Sequence, residues 1–300
     1  MISAAEIKAH INGIAETKKI TDAMYKISSA KMSRALRDLE NTTPYFEALA
    51  EKIGDLFVNV PATSNRYFKV TLPENTPHSN HGIVLITSDK GLAGDYNHAA
   101  INMCEQYMER HPLTTLFVIG EYGRQYFSNK NIPFAADFRY SLVRPQITDA
   151  RSICADILEY YDRADLDEIN IIYTDYMGNR PGECKKVTIL PLDRTRFFNP
   201  EKAGEIVEKE LITSPDEVLD GIIPSYIMGF IYGCLVESFC SEQQARIMAM
   251  KNASDNAEKM IKELKVKYNN VRQTAITREI TEITAGARAL KRKKEPPQEI

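Results

Sequence analysis

The stretch Thr87–Asn97 (TSDKGLAGDYN) is the place in this chain where residue types and spacing most resemble a chemical site. It carries two glycines directly after an apolar run, where α/β proteins often hold phosphate on backbone N–H groups. The spacing matches neither G-x-x-x-x-G-K-[ST] nor G-x-G-x-x-G, and a tight turn relieved at Gly91 and Gly94 explains it equally well. Asp89 and Asp95 are a conceivable acid/base or metal pair. No histidine lies beside them on that turn, and surface or capping roles suit both better. The five histidines (His10, His78, His81, His98, His111) show no ligand spacing. The five cysteines (Cys104, Cys154, Cys184, Cys234, Cys240) show no metal spacing either and read as reduced structural thiols. No G-x-S-x-G stands around any serine. Catalytic residues, a cofactor site and a metal site are therefore not expected.

The elements around this turn are more informative. No proline precedes Pro44, and none lies between Pro224 and Pro296. Proline costs a helix interior about 3 kcal/mol, so a long helix is permitted at each end. A helix over most of 225–290 would be roughly 100 Å long, the dimension of a shaft or coiled coil. The N-terminal stretch has apolar residues Ile7, Ile11, Ile14, Met24, Ile27, Leu36 and Leu39, a stripe that Lys18 and Lys19 interrupt. Near the other end, Ile261, Leu264, Tyr268, Val271 and Ala275 step by alternating threes and fours, which is a coiled-coil seam. Glu237–Asn256 and Asn269–Glu282 mix polar and small residues all round, which suits either solvent or a partner.

Between the ends the period changes. Ile83–Thr87 suits a strand buried on both faces. Helices near 97–110, 121–128 and 148–163 alternate with strands at 115–119, 169–174 and 186–190, with a weaker strand candidate at Phe134–Phe138. That alternation predicts a mostly parallel α/β sheet. The expected division is an N-terminal helix over 1–57, a turn-rich connection over 58–81, an α/β domain over 82–212, a C-terminal helix over 213–290 and a charged tail over 291–300.

Ile222–Val236 is strongly apolar but only about fifteen residues long, short for a bilayer span, and reads as a buried helix start. Net charge is −3 overall, yet residues 1–40 carry +2 and 241–300 carry +5, leaving about −10 for 41–240. Basic ends suggest a partner's negative surface or helix solvation. Without a dense basic run, nucleic acid is a weak reading.

Several of these segments together resemble the gamma subunit of the rotary ATP synthase. Lys19–Met32 (KITDAMYKISSAKM) is similar to that family's first-helix signature, and Thr87–Asn97 to its SDRGLCG-type turn. Ile169–Leu192 resembles its paired closing strands, and Ser214–Tyr226 the entry to its last helix. Leu235–Leu290, with LVES, SEQQAR, MAMKNASDNA and YNNVRQTAITREITEITAGA, is the most specific stretch. The chain departs from the family's usual pattern at Asp22, Lys26, Ala93 and Asp95-Tyr96, and it runs ten residues past Leu290.

The resemblance implies an α/β fold class: a long antiparallel coiled coil of the two terminal helices plus a central Rossmann-like domain. It implies a non-catalytic rotor shaft inside a ring of three alpha and three beta subunits. An epsilon subunit and a membrane c ring would be further partners, and the chain would sit peripherally on the cytoplasmic face of a bacterial membrane. It assigns Met24, Lys31, Arg246, Arg272, Gln273, Thr277 and Glu279 to the ring, and Ser88, Asp89, Lys90, Gly91 and Gly94 to the foot, toward epsilon or the c ring. On the residues alone, a free α/β nucleotide-binding module or enzyme with coiled-coil arms stays open, as does a coiled-coil adaptor.

Overall fold

The computed structural model describes residues 3–59, 65–68, 80–178, 180–197 and 214–294. The connection over 58–81 and the tail over 291–300 therefore lie largely outside the described residues. The order of elements is α1 (Ala4–Asn59), β1 (His81–Ile86), α2 (Tyr96–Arg110), β2 (Thr114–Ile119), α3 (Glu121–Asn129), α4 (Ile147–Asp162), β3 (Glu168–Thr174), β4 (Cys184–Leu190) and α5 (Pro215–Lys294). The chain divides into two compact units, one formed by 1–26 with 250–300 and the other by 27–249.

Both long helices start on sequence signals. Ser3 and Glu6 form a capping box, with Ser3 N donating to Glu6 Oε2 at 2.8 Å and Glu6 N to Ser3 Oγ at 3.2 Å. Ser214 caps α5, accepting from Glu217 N at 3.3 Å, and Pro215 sits at the first helical position.

Neither helix stops at its proline: α1 runs through Pro44, and α5 runs through Pro224. Packing offsets the lost backbone bond. Beyond Pro44, Phe46 and Ala50 pack on the core, and around Pro224 the residues Ile223, Ile227 and Ile231 are fully buried. The apolar window of α5 is long enough to cross a membrane by length and composition, but Ile223–Leu235 is the side of α5 that joins the core of the larger unit.

In the larger unit a four-stranded sheet has the order β2-β1-β3-β4. β1 pairs in parallel with β2 and β3, and β4 closes the edge antiparallel to β3, so the sheet is mostly parallel as the alternation predicts. β1 is buried along its whole length. One face of the sheet meets α4 and α5 in the main core, and the other meets α2 and α3 through Ile101, Cys104 and Phe127. Phe138 is buried, but Phe134–Phe138 is not a strand: Pro133 has no N–H to donate, and the segment turns after Ala135 N bonds Leu116 O. A single bridge, Ile119 to Tyr140, follows it.

In the smaller unit α1 and α5 run antiparallel. Asp22 meets Ser254 (2.5 Å), and Lys18 meets Glu258 (3.7 Å). The seam on α5 is Met250, Ser254, Ala257, Ile261, Leu264, Tyr268 and Val271, an unbroken heptad spacing with every member at least partly buried. Its counterpart on α1 is Ile7, Ile11, Ile14, Lys18 and Thr21. Lys18 does not interrupt the stripe; it belongs to it, its stem covering apolar surface while its ammonium reaches Asp22 and Glu258. Ile20 and, in the larger unit, Ile27 are exposed, so the apolar count alone misplaces the face. Ala275 is exposed too, and the seam ends at Val271.

Candidate partner-binding site

The turn after β1 is held by the side chains of five residues, Thr87, Ser88, Asp89, Asn97 and Arg246. Thr87 is fully buried; its hydroxyl donates to Ile119 O (2.8 Å) and accepts from Gly123 N (3.1 Å). Ser88 N donates to Asn97 Oδ1 (2.9 Å), Asn97 Nδ2 to Ser88 Oγ (2.7 Å), and Ser88 Oγ to Lys90 O (2.8 Å). Asp89 accepts from Glu121 N at 3.0 Å, and from Ser141 Oγ and Leu142 N at 2.7 Å each. It thereby caps α3 and ties down the 141–142 loop, as a capping role requires. Asp95 occupies the N-cap position of α2.

The backbone is left-handed at Gly94 (φ 58) and at Leu92 (φ 65), and not at Gly91. Leu92 is 64% exposed. A leucine in that region costs about 1–2 kcal/mol, so the turn holds an apolar side chain in solvent against a backbone preference. The turn is not shaped for phosphate: Asn97 takes the Ser88 N–H, and an acidic side chain heads α2.

Arg246 supplies the last brace. Its Nη2 donates to Lys90 O and to Gly91 O, both at 3.0 Å, and pairs with Glu242 at 2.6 Å. Burial raises the Glu242 carboxyl above its ordinary range, and the neighbouring guanidinium opposes that rise. Lys31 lies near enough to favour the Glu242 charge as well. The structure thus joins Arg246, which the resemblance assigns to the ring, with Ser88–Gly94, which it assigns to the foot. Glu242 is the residue sequence reasoning missed, although the i,i+4 Glu/Arg spacing in SEQQAR carries its signal.

The remaining sequence-derived residues belong elsewhere. Met24 is half-buried on α1 in the smaller unit. Arg272, Gln273, Thr277 and Glu279 are all exposed on α5 past the end of the seam. On the same stretch Ile276, Ile280 and Ile283 are exposed at 43%, 59% and 67%. All five cysteines are free; burial pushes the thiols of Cys104, Cys154 and Cys240 up to about 12, which makes them inert.

Two terminal helices paired antiparallel, with a mostly parallel α/β domain between them in sequence, define the architecture of a central-stalk protein. Solved structures share that fold. The rotor of the Euglena gracilis mitochondrial ATP synthase matches with a TM-score of 0.60 at 15% identity, covering 91% of this chain and 98% of that one. The central stalk and c-ring structure of the Tetrahymena thermophila mitochondrial ATP synthase matches with a TM-score of 0.59 at 21% identity, covering 78% and 99%. A family profile described as "ATP synthase" matches residues 3–290. The ATP synthase gamma chain of Acetivibrio thermocellus is 37% identical over 95% of this chain and 98% of its own length. The sodium-ion-specific gamma chain of Acetobacterium woodii is 32% identical over 95% and 98%. The chain belongs to the ATP synthase gamma chain family, and the match takes in both long helices and the α/β domain.

Proposed function

We propose that this gamma chain, the rotor-shaft subunit of an ATP synthase, is non-catalytic and transmits torque between a membrane c ring and three catalytic beta subunits. The supporting observation is the end of the α1–α5 seam at Val271. Past it, Arg272, Gln273, Thr277, Glu279 and three isoleucines stand exposed on α5, a mixed polar and apolar helix suited to the inside of a protein ring. Alpha and beta subunits, three of each, are the ring partners, with epsilon and the c ring at the other end. The complex sits on the cytoplasmic face of a bacterial membrane and couples to protons or sodium ions. The shaft comprises residues 1–57 and 213–290, and the α/β domain 82–212.

The partner contacts we assign are Met24, Lys31, Arg272, Gln273, Thr277 and Glu279 on the helices, with Ser88, Asp89, Lys90, Gly91 and Gly94 on the turn. Arg246 enters this set through the turn it holds, so the turn and the middle of α5 meet one partner surface. Torque transmission needs an asymmetric shaft, so that three identical beta subunits meet different faces. Reversing a 99:1 conformational preference takes roughly 5.5 kcal/mol of differential contact in all, more than one hydrogen bond supplies.

Co-expression with the alpha and beta subunits of the same organism, followed by native mass spectrometry, tests the assignment. The expected product holds three alpha, three beta and one copy of this chain. A ring that forms while this chain stays apart would overturn it.

A further inference from the structure

Within the larger unit, the strand order β2-β1-β3-β4 reverses at β1: β2 lies on one side of it and β3 on the other. In open α/β sheets, ligands bind in the crevice past the carboxyl ends of the strands at such a reversal. Here the chain's own helix fills it. The turn after β1 and the connection after β3 both bond to α5, along the stretch 238–246.

On the β3 side, Thr174 N donates to Ser238 Oγ (3.0 Å), Ser241 Oγ donates to Asp175 O (2.7 Å), and Gln244 Nε2 donates to Arg180 O (3.1 Å). A Cβ on Gly182 would lie 2.5 Å from both Asp175 O and Ser241 Oγ, so helix and connection touch without slack. On the β1 side, the Lys90 and Gly91 carbonyls accept from Arg246 Nη2, both at 3.0 Å. Ser238, Ser241 and Arg246 are buried.

The two sets of bonds leave the helix in different directions. Each residue turns an α-helix by about 100°, so Gln244 and Arg246, two positions apart, project to nearly opposite sides. Ser241 and Ser238 project along the arc that joins them. A helix bonded along one side can roll on its bed. Bonded on both, it cannot turn about its axis in either sense without straining bonds to one loop and pressing on the other. The apolar side of α5, Ile223–Leu235, adds adhesion to the core, but the hydrophobic effect is non-directional. Hydrogen bonds weaken steeply when bent and so resist the turn itself.

We propose that Ser238, Ser241, Gln244 and Arg246 are positioning residues that key α5 into this crevice, making it the joint through which twist passes between α5 and the α/β domain. The inference rests on the rotor-shaft reading and adds where in the chain the twist is handed over, at the ends of the two central strands.

Single-molecule rotation tests this in the complex of three alpha, three beta and one copy of this chain. The ring is fixed to glass, and a bead is attached at Asn129→Cys, an exposed position of α3. With turnover arrested by a non-hydrolysable ATP analogue, the bead's angular variance reads the torsional compliance between α5 and the α/β domain. The triple variant Ser238→Ala, Ser241→Ala, Gln244→Ala keeps two of the five bonds and should widen that variance by about twofold. Unloaded ATP hydrolysis should stay at the wild-type rate. Gln244→Ala alone, whose bond lies at the surface, should assemble and widen the variance in the same direction. A purely structural role would lower the urea midpoint and leave the variance at its wild-type width. That result in the triple variant, or in Gln244→Ala if the triple variant does not assemble, would overturn the joint. A wild-type bead that never turns with ATP would overturn the rotor reading and the joint together.

Discussion

The guanidinium of Arg246 and the carboxylate of Glu242 meet at 2.6 Å one helical turn apart, with side chains only 8% and 5% exposed. Two more bonds from the same guanidinium nitrogen fasten the Lys90 and Gly91 carbonyls. Removing the guanidinium leaves a carboxylate out of water without its cation, a loss of about 3–5 kcal/mol. Arg246→Met should therefore cost about that much in urea denaturation. Adding Glu242→Leu should restore most of it, since a well-packed apolar pair is often no worse than a buried ion pair. Equal losses in the single and double variants would place the cost in the freed turn instead.

His111 and Glu237 should make stability respond to pH in opposite directions. Burial, then His81 and Lys186, lowers the His111 pKa from its ordinary 6.5. The native state thus prefers the neutral ring, and stability is lost as pH falls through 6.5 toward the lower folded value. Glu237, raised to about 7, gives the reverse: stability grows as pH falls from about 7 toward 4.5. Thermal unfolding should show His111→Gln gaining stability between pH 7 and 5, and Glu237→Gln losing it, with the wild type between them.

Two glycines of α5 should answer alanine with opposite signs. At Gly229 a Cβ would lie 2.0 Å from the Phe46 ring of α1. Gly229→Ala must displace that ring and should cost about 1–3 kcal/mol. At Gly221 a Cβ would meet nothing within 4 Å, so Gly221→Ala should stabilise the helix by about 0.5–1 kcal/mol. Urea midpoints of the two variants against wild type decide the matter.

Arg272 is exposed on α5 past the seam. A single charge-assisted hydrogen bond contributes about 1.5–3 kcal/mol, less than a conformational reversal needs. In the assembled complex, Arg272→Ala should lower coupled ATP synthesis without stopping rotation. Normal assembly with synthesis wholly lost would show that one residue sets the beta-subunit states.

Much of the architecture was legible in the sequence because its signals are local. The alternation of short apolar runs with amphipathic stretches marks the sheet and its helices to within a residue or two. The missed features depend on what lies across space. The helices expected over 1–57 and 213–290 contain Pro44 and Pro224, and what the local sequence does not show is the core that offsets the cost of each. Lys18 looks like a break in an apolar stripe until Asp22 and Glu258 stand beside it. Gly91 looks like the strained position of the turn, yet the left-handed backbone falls on Leu92. Arg246 reads as outward-facing until the two carbonyls it holds are visible.

The pairs Lys18–Glu258 and Asp22–Ser254 also decide which alignments of the two helices are forbidden. Sliding α5 by one heptad keeps apolar residues roughly opposite apolar residues, so the seam alone would tolerate it. The same slide would bring Lys18 opposite Lys251 or Lys265, and Asp22 opposite Ile247 or Ile261. Either way an attraction becomes a repulsion and a bonded carboxylate is set against hydrocarbon. Two helices that must carry an axial or twisting load are thereby kept from creeping past each other in seven-residue steps.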